Sequence, residues 1–225
     1  MSRHSKLLGV VDITEQQDLP AGRFSSWLSE MASSRVTASG VDVPCGECNA
    51  CCRSSYFINI EAQETAALAR IPEELLVAAP GGREGEVVMG YDENGHCPML
   101  VDDRCSIYEH RPMACRNYDC RIFPAAGIEK FEESRSLISQ RTRRWKFSYP
   151  AKRDRDEHSA VRAAAKFLTE RAEVLDDLVP RNSAQLAMLA VRVHAVFLEY
   201  QDEDGKTGQL PRDHVVAEAI RTANR

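Results

Sequence analysis

Cysteine is the residue type whose spacing in this sequence most clearly indicates chemistry. Eight cysteines occur in 225 residues, and four of them fall within residues 45–52. The other four are Cys97, Cys105, Cys115 and Cys120. Thiols at this density are typical of disulfides, metal ligands or redox catalysts.

Disulfides are the least favoured of these three interpretations. The first residues have a basic start and a short apolar segment that Asp12 interrupts, and no small-residue cleavage site follows, so they do not form a signal-peptide pattern. We therefore expect a cytoplasmic, reducing location, where clustered cysteines are more often metal ligands or catalysts than cross-links. The neighbouring Cys51 and Cys52 could bridge each other only with strain. The sequence favours metal binding.

The spacing Cys-x2-Cys occurs twice in succession, at Cys45, Cys48 and Cys51. A tight turn aims both sulfurs of such a pair at one point. A triple run also opens the ligation pattern of bacterial ferredoxins, whose fourth cysteine precedes a proline. Cys97, followed by Pro98, is a remote equivalent of that fourth cysteine. We therefore expect a four-thiolate site of Cys45, Cys48, Cys51 and Cys97 that holds zinc or a [4Fe–4S] cluster.

The remaining four thiols are spaced too widely for an independent zinc knuckle. They belong to Cys52, Cys105, Cys115 and Cys120. We expect them to complete the first site or to form a second one. The alternative for any single thiol is a buried and inert side chain.

Histidines and arginines near the cysteines could assist the site. His96 and His110 could be zinc ligands, although an ordinary surface or supporting position is favoured for each. Arg111 and Arg116 lie on either side of Cys115. We expect their charge to balance the negative charge of bound thiolates, and the alternative is that they are surface arginines paired with carboxylates.

The elements that must position these thiols are predicted to be short. Strands are predicted at residues 56–60 and 86–91, and a hairpin turn at 92–95 leads into a return strand at 96–101. Helical segments are predicted at 61–70 and 73–79.

Longer helices are predicted on both sides of the cysteines. Apolar residues recur at helical spacing at 23–34 and 155–178. A charged helix is predicted at 128–144, a nearly all-apolar one at 184–200, and a last helix from Pro211 to Ala223. Ser183 is the predicted N-cap of the segment at 184–200, which is apolar nearly all round and is expected to be the buried central helix.

The predicted fold class is α+β. It comprises an N-terminal lead-in with one helix (1–38), a small cysteine-rich, metal-bound module with short strands (39–124) and an all-helical C-terminal region (125–225).

Composition limits the partners. The net charge is −5, and no apolar run approaches the roughly 20 residues that span a bilayer. A basic stretch from Arg135 to Arg155, interleaved with Trp145, Phe147 and Tyr149, could bind nucleic acid through phosphates and stacking. A solvated helix with its apolar side on the core is favoured instead. We expect no membrane and no nucleic-acid partner, and a possible protein partner on the C-terminal helices.

Several blocks of sequence resemble the YkgJ-type family, also named CxxCxxCC, of zinc- or iron-chelating domains. They are the CxxCxxCC run at 45–52, the Cys-Pro-Met-Leu at 97–100, the block from Cys105 to Arg116 that contains Tyr-Glu-x-Arg-Pro, and the closing Cys120. The resemblance covers residues 45–123. It implies that the cysteines are metal ligands and that Tyr-Glu-x-Arg-Pro belongs to the scaffold of the site. A similar cysteine block occurs in flagellin lysine N-methylases.

Two hypotheses of function follow. In the first, the protein is a metal-binding protein of unassigned cellular role, in which the metal stabilises the cysteine-rich module. In the second, it is an enzyme: an iron–sulfur redox carrier or a protein lysine methyltransferase related to the flagellin N-methylases. The sequence leaves open whether the protein catalyses a reaction.

Overall fold

The structure is a computed structural model that describes residues 17–33, 43, 45–129, 136–200 and 210–224. Residues 1–16 and 34–38 of the predicted lead-in lie outside these ranges, as does Arg135 of the basic stretch. Mixed helices and short strands confirm the predicted α+β class.

Most helical residues follow the cysteine-rich segment. The helices in the described ranges are α1 (Phe24–Ser33), α2 (Thr65–Leu68), α3 (Met113–Arg116), α4 (Ile122–Ala126), α5 (Ser136–Arg144), α6 (Lys152–Glu170), α7 (Ala172–Leu175), α8 (Ser183–Leu198) and α9 (Asp213–Ala223). The strands there are β1 (Leu19–Arg23), β2 (Ile58–Ile60), β3 (Leu76–Ala78), β4 (Val87–Met89), β5 (Leu100–Val101), β6 (Arg104–Cys105) and β7 (Trp145–Ser148).

Of the two apolar cores found in the described ranges, the larger lies among α1, α4, α6, α8 and α9. The helix α8 packs against α6, α9 and α4, as expected for a helix that is apolar nearly all round. Its N-cap is Asn182 and not the predicted Ser183. The Asn182 side chain accepts hydrogen bonds from the backbone N–H groups of Ala184 and Gln185. This capping stabilises the first turn of α8.

A parallel pair of strands joins the N-terminal segment to the region after the cysteines. Leu19 of β1 lies opposite Trp145 of β7. The prediction that the C-terminal region is all-helical is therefore wrong at β7. The alternation of Trp145 and Phe147 with polar residues favours a strand, because one face can then pack on the core while the other faces solvent.

One carboxylate holds the starts of two helices. Asp154 is fully buried and accepts hydrogen bonds from the backbone N–H of Ser25, at the start of α1, and of Ala151, just before α6. Arg23 Nε donates to the same carboxylate at 2.8 Å. These three donors hold the pKa of Asp154 well below its usual range. Asp154 therefore fixes α1 against α6.

The cysteine-rich segment folds around a small sheet of three short strands. Its strand order is β2-β4-β3, and both pairs are antiparallel, with Ile58 and Leu76 opposite Met89 on its two sides. The strand β3 falls in residues 73–79, where a helix was predicted. Only a 3-10 turn forms there, at Glu73–Leu75, because the following residues pair with β4 instead.

The predicted hairpin also differs from the observed pairing. The turn at 92–95 does not return a strand to β4, and the short strand β5 pairs with β6 instead, with Leu100 opposite Cys105. The predicted helix at 61–70 is reduced to α2. The Glu64 carboxylate, just before α2, accepts hydrogen bonds from the backbone N–H groups of Glu61 and Met113.

The core of the small sheet is minor. Its buried side chains in the described ranges are Ile60, Ile71, Met89, Met99 and Ile107. Strands of two or three residues and a core of this size supply little stability of their own. Among the described helices, none is long and apolar enough to cross a membrane.

Candidate metal centre

All eight cysteines line a single cavity of about 720 Å³. Each cysteine is a half-buried free thiol. The eight are Cys45, Cys48, Cys51, Cys52, Cys97, Cys105, Cys115 and Cys120. Residues up to 75 positions apart in the sequence therefore line the same cavity.

The first four cysteines are placed by two successive turns. Gly46 has φ +56°, in the left-handed region that glycine adopts without strain. The turn brings the backbone N–H of Cys48 within 3.1 Å of the Cys45 carbonyl oxygen. A 3-10 turn at Cys51–Arg53 follows. These turns give residues 45–52 the compact path that the Cys-x2-Cys spacing predicts.

Two backbone hydrogen bonds join residues 52–55 to residues 95–97. The N–H of Cys97 donates to the Cys52 carbonyl at 2.7 Å, and the N–H of Ser55 donates to the Gly95 carbonyl at 2.9 Å. The turn at 92–95 thus delivers Cys97 to the cavity. The Asp92 carboxylate stabilises that turn by accepting hydrogen bonds from the N–H groups of Asn94 and His96, which lower its pKa.

Short elements also place Cys105 and Cys115. Cys105 lies on β6, and Cys115 lies on α3. The backbone N–H of Met113, the first residue of α3, donates to Glu64 Oε2 at 2.5 Å. A carboxylate at the start of a helix stabilises its unpaired N–H groups. This contact attaches α3 to the segment before α2.

A buried network surrounds Cys120. The indole N–H of Trp145 donates to Cys120 Sγ at 3.1 Å. The preceding residue, Asp119, is 4% exposed and accepts hydrogen bonds from Trp27 Nε1 at 2.8 Å and from Arg121 Nε at 3.0 Å. The Arg121 guanidinium also donates to the Ala21 carbonyl. Cys120 is therefore held by both the N-terminal segment and β7.

At the surface, polar and charged side chains of residues 47–53 contact residues 103–104. The Arg53 guanidinium contacts the Asp103 carboxylate, and Arg104 lies 3.4 Å from Glu47. The Asn49 side chain donates to the Asp103 carbonyl. Exposed pairs of this kind contribute roughly 0–1 kcal/mol each. They align residues 47–53 with the turn before β6 but do not fasten them strongly.

The two arginines beside Cys115 both line the cavity. Arg116 Nε donates to the Arg111 carbonyl, and the Arg111 guanidinium lies over the Tyr108 ring, 3.9 Å from its centroid. The charge of Arg111 lowers the pKa of Cys115, although burial raises that pKa more. His96 and His110 are not among the residues that line this cavity.

The electrostatics of the thiols fit a cation. Burial raises the pKa of Cys45 to about 11, and burial likewise raises the pKa values of Cys115 and Cys120 to about 12. Neighbouring thiols contribute to these pKa values after burial. Soft thiolate ligands select zinc and iron–sulfur clusters, and a bound cation reverses the cost of deprotonation. The donor set therefore suits zinc or iron.

The thiols surround the cavity and have not converged within it. In the described part of the chain, no three His, Cys, Asp or Glu side chains are grouped as a metal would hold them.

Sequence reasoning missed several residues that support the cavity. The hydroxyl groups of Tyr56 and Tyr118 are hydrogen-bonded at 3.0 Å on its wall. Arg141 Nη2 donates to the Cys45 carbonyl at 3.1 Å, and its guanidinium lies over the Trp145 ring. Arg141 and Trp145 carried a signal only as members of the basic stretch, because nothing in their spacing relates them to a cysteine.

The aromatic residues of the basic stretch pack inward. Trp145 is buried, and Phe147 contacts both Phe24 and Trp27. Tyr149 stacks on His158 and is hydrogen-bonded to its Nδ1. Phe147 and Tyr149 pack against the larger core, and the three rings are not arranged as an exposed stacking surface.

Comparison with known proteins agrees with the position of the cavity. Residues 44–145 match the CxxCxxCC family, described as a "Putative zinc- or iron-chelating domain". None of the curated proteins and none of the solved structures matches the chain. The matched segment begins next to Cys45 and ends at Trp145, the residue that donates to Cys120 Sγ. Residues 44–145, which contain all eight cysteines, thus match the zinc- or iron-chelating CxxCxxCC family that their cysteine blocks resemble.

Proposed function

We propose that the protein is a metal-binding protein whose cysteine thiolates chelate zinc or iron and so join residues 45–55 to residues 97–120. One observation carries the proposal: all eight cysteines line the same cavity. The proposal requires a reducing compartment such as the cytoplasm, because oxidised thiols would not bind the metal.

The weak packing of the small sheet supports a structural role for the metal. Among the described residues, its core contains five buried side chains, and each of its strands has three residues. The ion pairs that cross the mouth of the cavity are exposed. Because thiolate sites rarely form in an unfolded chain, the free energy of metal binding becomes free energy of folding. The metal then makes this module a stable surface for binding or regulation.

Chelation tests this role directly. We expect complete metal removal from the full-length protein to abolish the hydrogen-exchange protection of residues 45–120, while α6 and α8 stay protected by the larger core. The Ser106→Ala variant is a matched control, because Ser106 bonds to Met99 but does not line the cavity. Unchanged protection of residues 45–120 in the metal-free protein would contradict the structural role.

An iron–sulfur centre is the second candidate, and one contact favours it. The Trp145 N–H donates to Cys120 Sγ, and hydrogen bonds to the sulfurs are among the features that set cluster reduction potentials. When bound, such a cluster would supply one-electron redox chemistry. Cys120 would hold it, and Trp145 would stabilise the charge on the Cys120 sulfur.

The colour and composition of protein purified without air separate the two candidates. A brown protein that a reductant bleaches reversibly, with iron and acid-labile sulfide, supports the cluster. A colourless protein with zinc at full occupancy excludes it. The methyltransferase alternative, a protein partner on the C-terminal helices and the absence of nucleic-acid binding stay predictions.

A further inference from the structure

We infer that the cavity holds two metal sites. One takes Cys45, Cys48 and Cys120, and the other takes Cys97, Cys105 and Cys115. The neighbouring Cys51 and Cys52 lie at the junction and supply one further thiolate to each site. This inference rests on the proposed function and adds the number of sites and the division of the ligands.

The two walls of the cavity belong to different packing units. Cys51 and Cys120 pack against the larger helical core. Cys97 and Cys105 pack against the small core around Ile60 and Met89. The cavity lies between the two cores and is lined by thiols from both. Thiols that pack against the same core keep their positions relative to one another, so they are the natural ligands of one site.

One group of thiols is held by α5 and β7. Arg141 of α5 donates to the Cys45 carbonyl, and Trp145 of β7 donates to Cys120 Sγ. A second, smaller cavity of about 340 Å³ lies on this side, and Cys45 and Cys48 line it together with Arg141. Cys48 is tied to Cys45 by the turn hydrogen bond between them. These three thiols share one side of the site.

The other group is held by the small sheet and its neighbours. Cys105 of β6 pairs with Leu100, whose backbone N–H donates to the Cys97 carbonyl at 2.9 Å. Cys115 lies on α3, which packs against β2. Cys97, Cys105 and Cys115 therefore all depend on elements of the small module.

Cys51 and Cys52 lie between the two groups. Cys51 packs against the larger helical core, and the Cys52 carbonyl accepts the backbone N–H of Cys97 at 2.7 Å. The pair at 51–52 therefore adjoins both groups of three.

The number of thiols and the volume of the cavity also suit two sites. Structural zinc and [4Fe–4S] clusters each take about four protein ligands, so eight thiols complete two sites. Water occupies about 30 Å³ per molecule in the liquid, and the cavity volume of about 720 Å³ is many times that. Space for a second centre is present.

This division differs from the grouping that spacing alone favoured. The sequence placed Cys97 with Cys45, Cys48 and Cys51, because a Cys-Pro pair resembles the fourth ferredoxin position. In the structure, Cys97 packs with Cys105 on the small core. We therefore assign Cys97 to the second site.

Metal counting in paired variants tests the division. The full-length protein and each variant are produced without air and loaded with Zn²⁺ alone, and bound metal is counted by native mass spectrometry and elemental analysis. We expect two Zn²⁺ per wild-type chain, one in Cys45→Ser/Cys120→Ser, one in Cys97→Ser/Cys115→Ser and none in the fourfold variant. The Ser106→Ala control should retain two. If the native metal is an iron–sulfur cluster, iron and sulfide should halve in each paired variant.

Other outcomes distinguish failure of the two-site division from failure of the proposed function. One Zn²⁺ per folded wild-type chain, or loss of all metal in either paired variant while its helical circular dichroism is kept, would overturn the two-site division and leave metal binding intact. No bound Zn²⁺ in the wild-type protein would overturn the proposed function itself. If a paired variant fails to fold, a wild-type count of two supports the inference and a count of one refutes it.

Discussion

Replacing Asp119 with alanine is expected to destabilise the folded protein by about 4 kcal/mol, because it orphans a buried cation and a buried indole. The Asp119 side chain is fully buried and lies 2.8 Å from Arg121 Nη2 and 2.8 Å from Trp27 Nε1. Arg121 is itself 5% exposed, so water cannot replace the lost carboxylate without rearrangement.

The expected loss of stability follows from the two donors that lose their acceptor, the Arg121 guanidinium and the Trp27 indole N–H. Removing one member of a buried ion pair costs roughly 3–5 kcal/mol. Leaving a buried N–H unpaired costs about 1–3 kcal/mol. The two effects overlap, because both donors approach the same carboxylate, so we expect a total near the lower end of the sum. Against a total stability of roughly 5–15 kcal/mol for an ordinary domain, this is a large loss.

Urea unfolding, followed by circular dichroism, measures the effect. The matched comparison is Asp119→Ala/Arg121→Met, which removes both charges. Replacing both partners with apolar groups is often near neutral, so the double variant should recover much of the lost stability. A loss below about 1 kcal/mol in Asp119→Ala, or a double variant no more stable than the single one, would refute the reasoning.

Three further predictions concern residues outside the thiols. Asp154→Ala should cost about 3 kcal/mol in urea unfolding, because the backbone N–H groups of Ser25 and Ala151 lose a charged acceptor; an effect within about 0.5 kcal/mol, as at ordinary surface positions, would contradict this. Burial lowers the pKa of His158 to about 4, so the stability that its neutral form contributes is fully present above pH ~6.5. About 3 kcal/mol of that stability should be lost as the pH falls from there through 4. The His158→Gln variant should lack this part of the pH dependence, and identical pH profiles of the two proteins would refute the prediction. Gly46→Ala should weaken metal binding and cost about 1 kcal/mol, since φ at this position is +56°; unchanged affinity and stability would show that the turn does not need glycine.

Residue periodicity predicted the long helices and the central position of α8, because the packing of these segments depends on their own apolar faces. It failed at residues 73–79, where pairing of Val77 with Val88 of β4 outweighs local helical preference. It also missed β7, whose partner β1 lies more than 120 residues earlier. Strands this short are specified by their partners and not by their own sequence.

The cysteine pattern predicted one metal site with four of the thiols and left the other four to that site or to a second one. In the structure all eight line one cavity, and their role as metal ligands stays a prediction. The division among the thiols could not be predicted, because it depends on which core each segment packs against. Supporting contacts such as Trp145 to Cys120 and Glu64 to Met113 join residues 25 and 49 positions apart. No local spacing rule connects such pairs, so only the folded arrangement identifies them.

Metal content of the full-length protein, produced and purified without air, tests the central claim most directly. We expect zinc or iron bound in stoichiometric amount by the wild-type protein, and none in a variant with all eight cysteines replaced by serine. Wild-type protein that is folded, fully reduced and free of both metals, and that takes up neither when they are supplied, would contradict the claim.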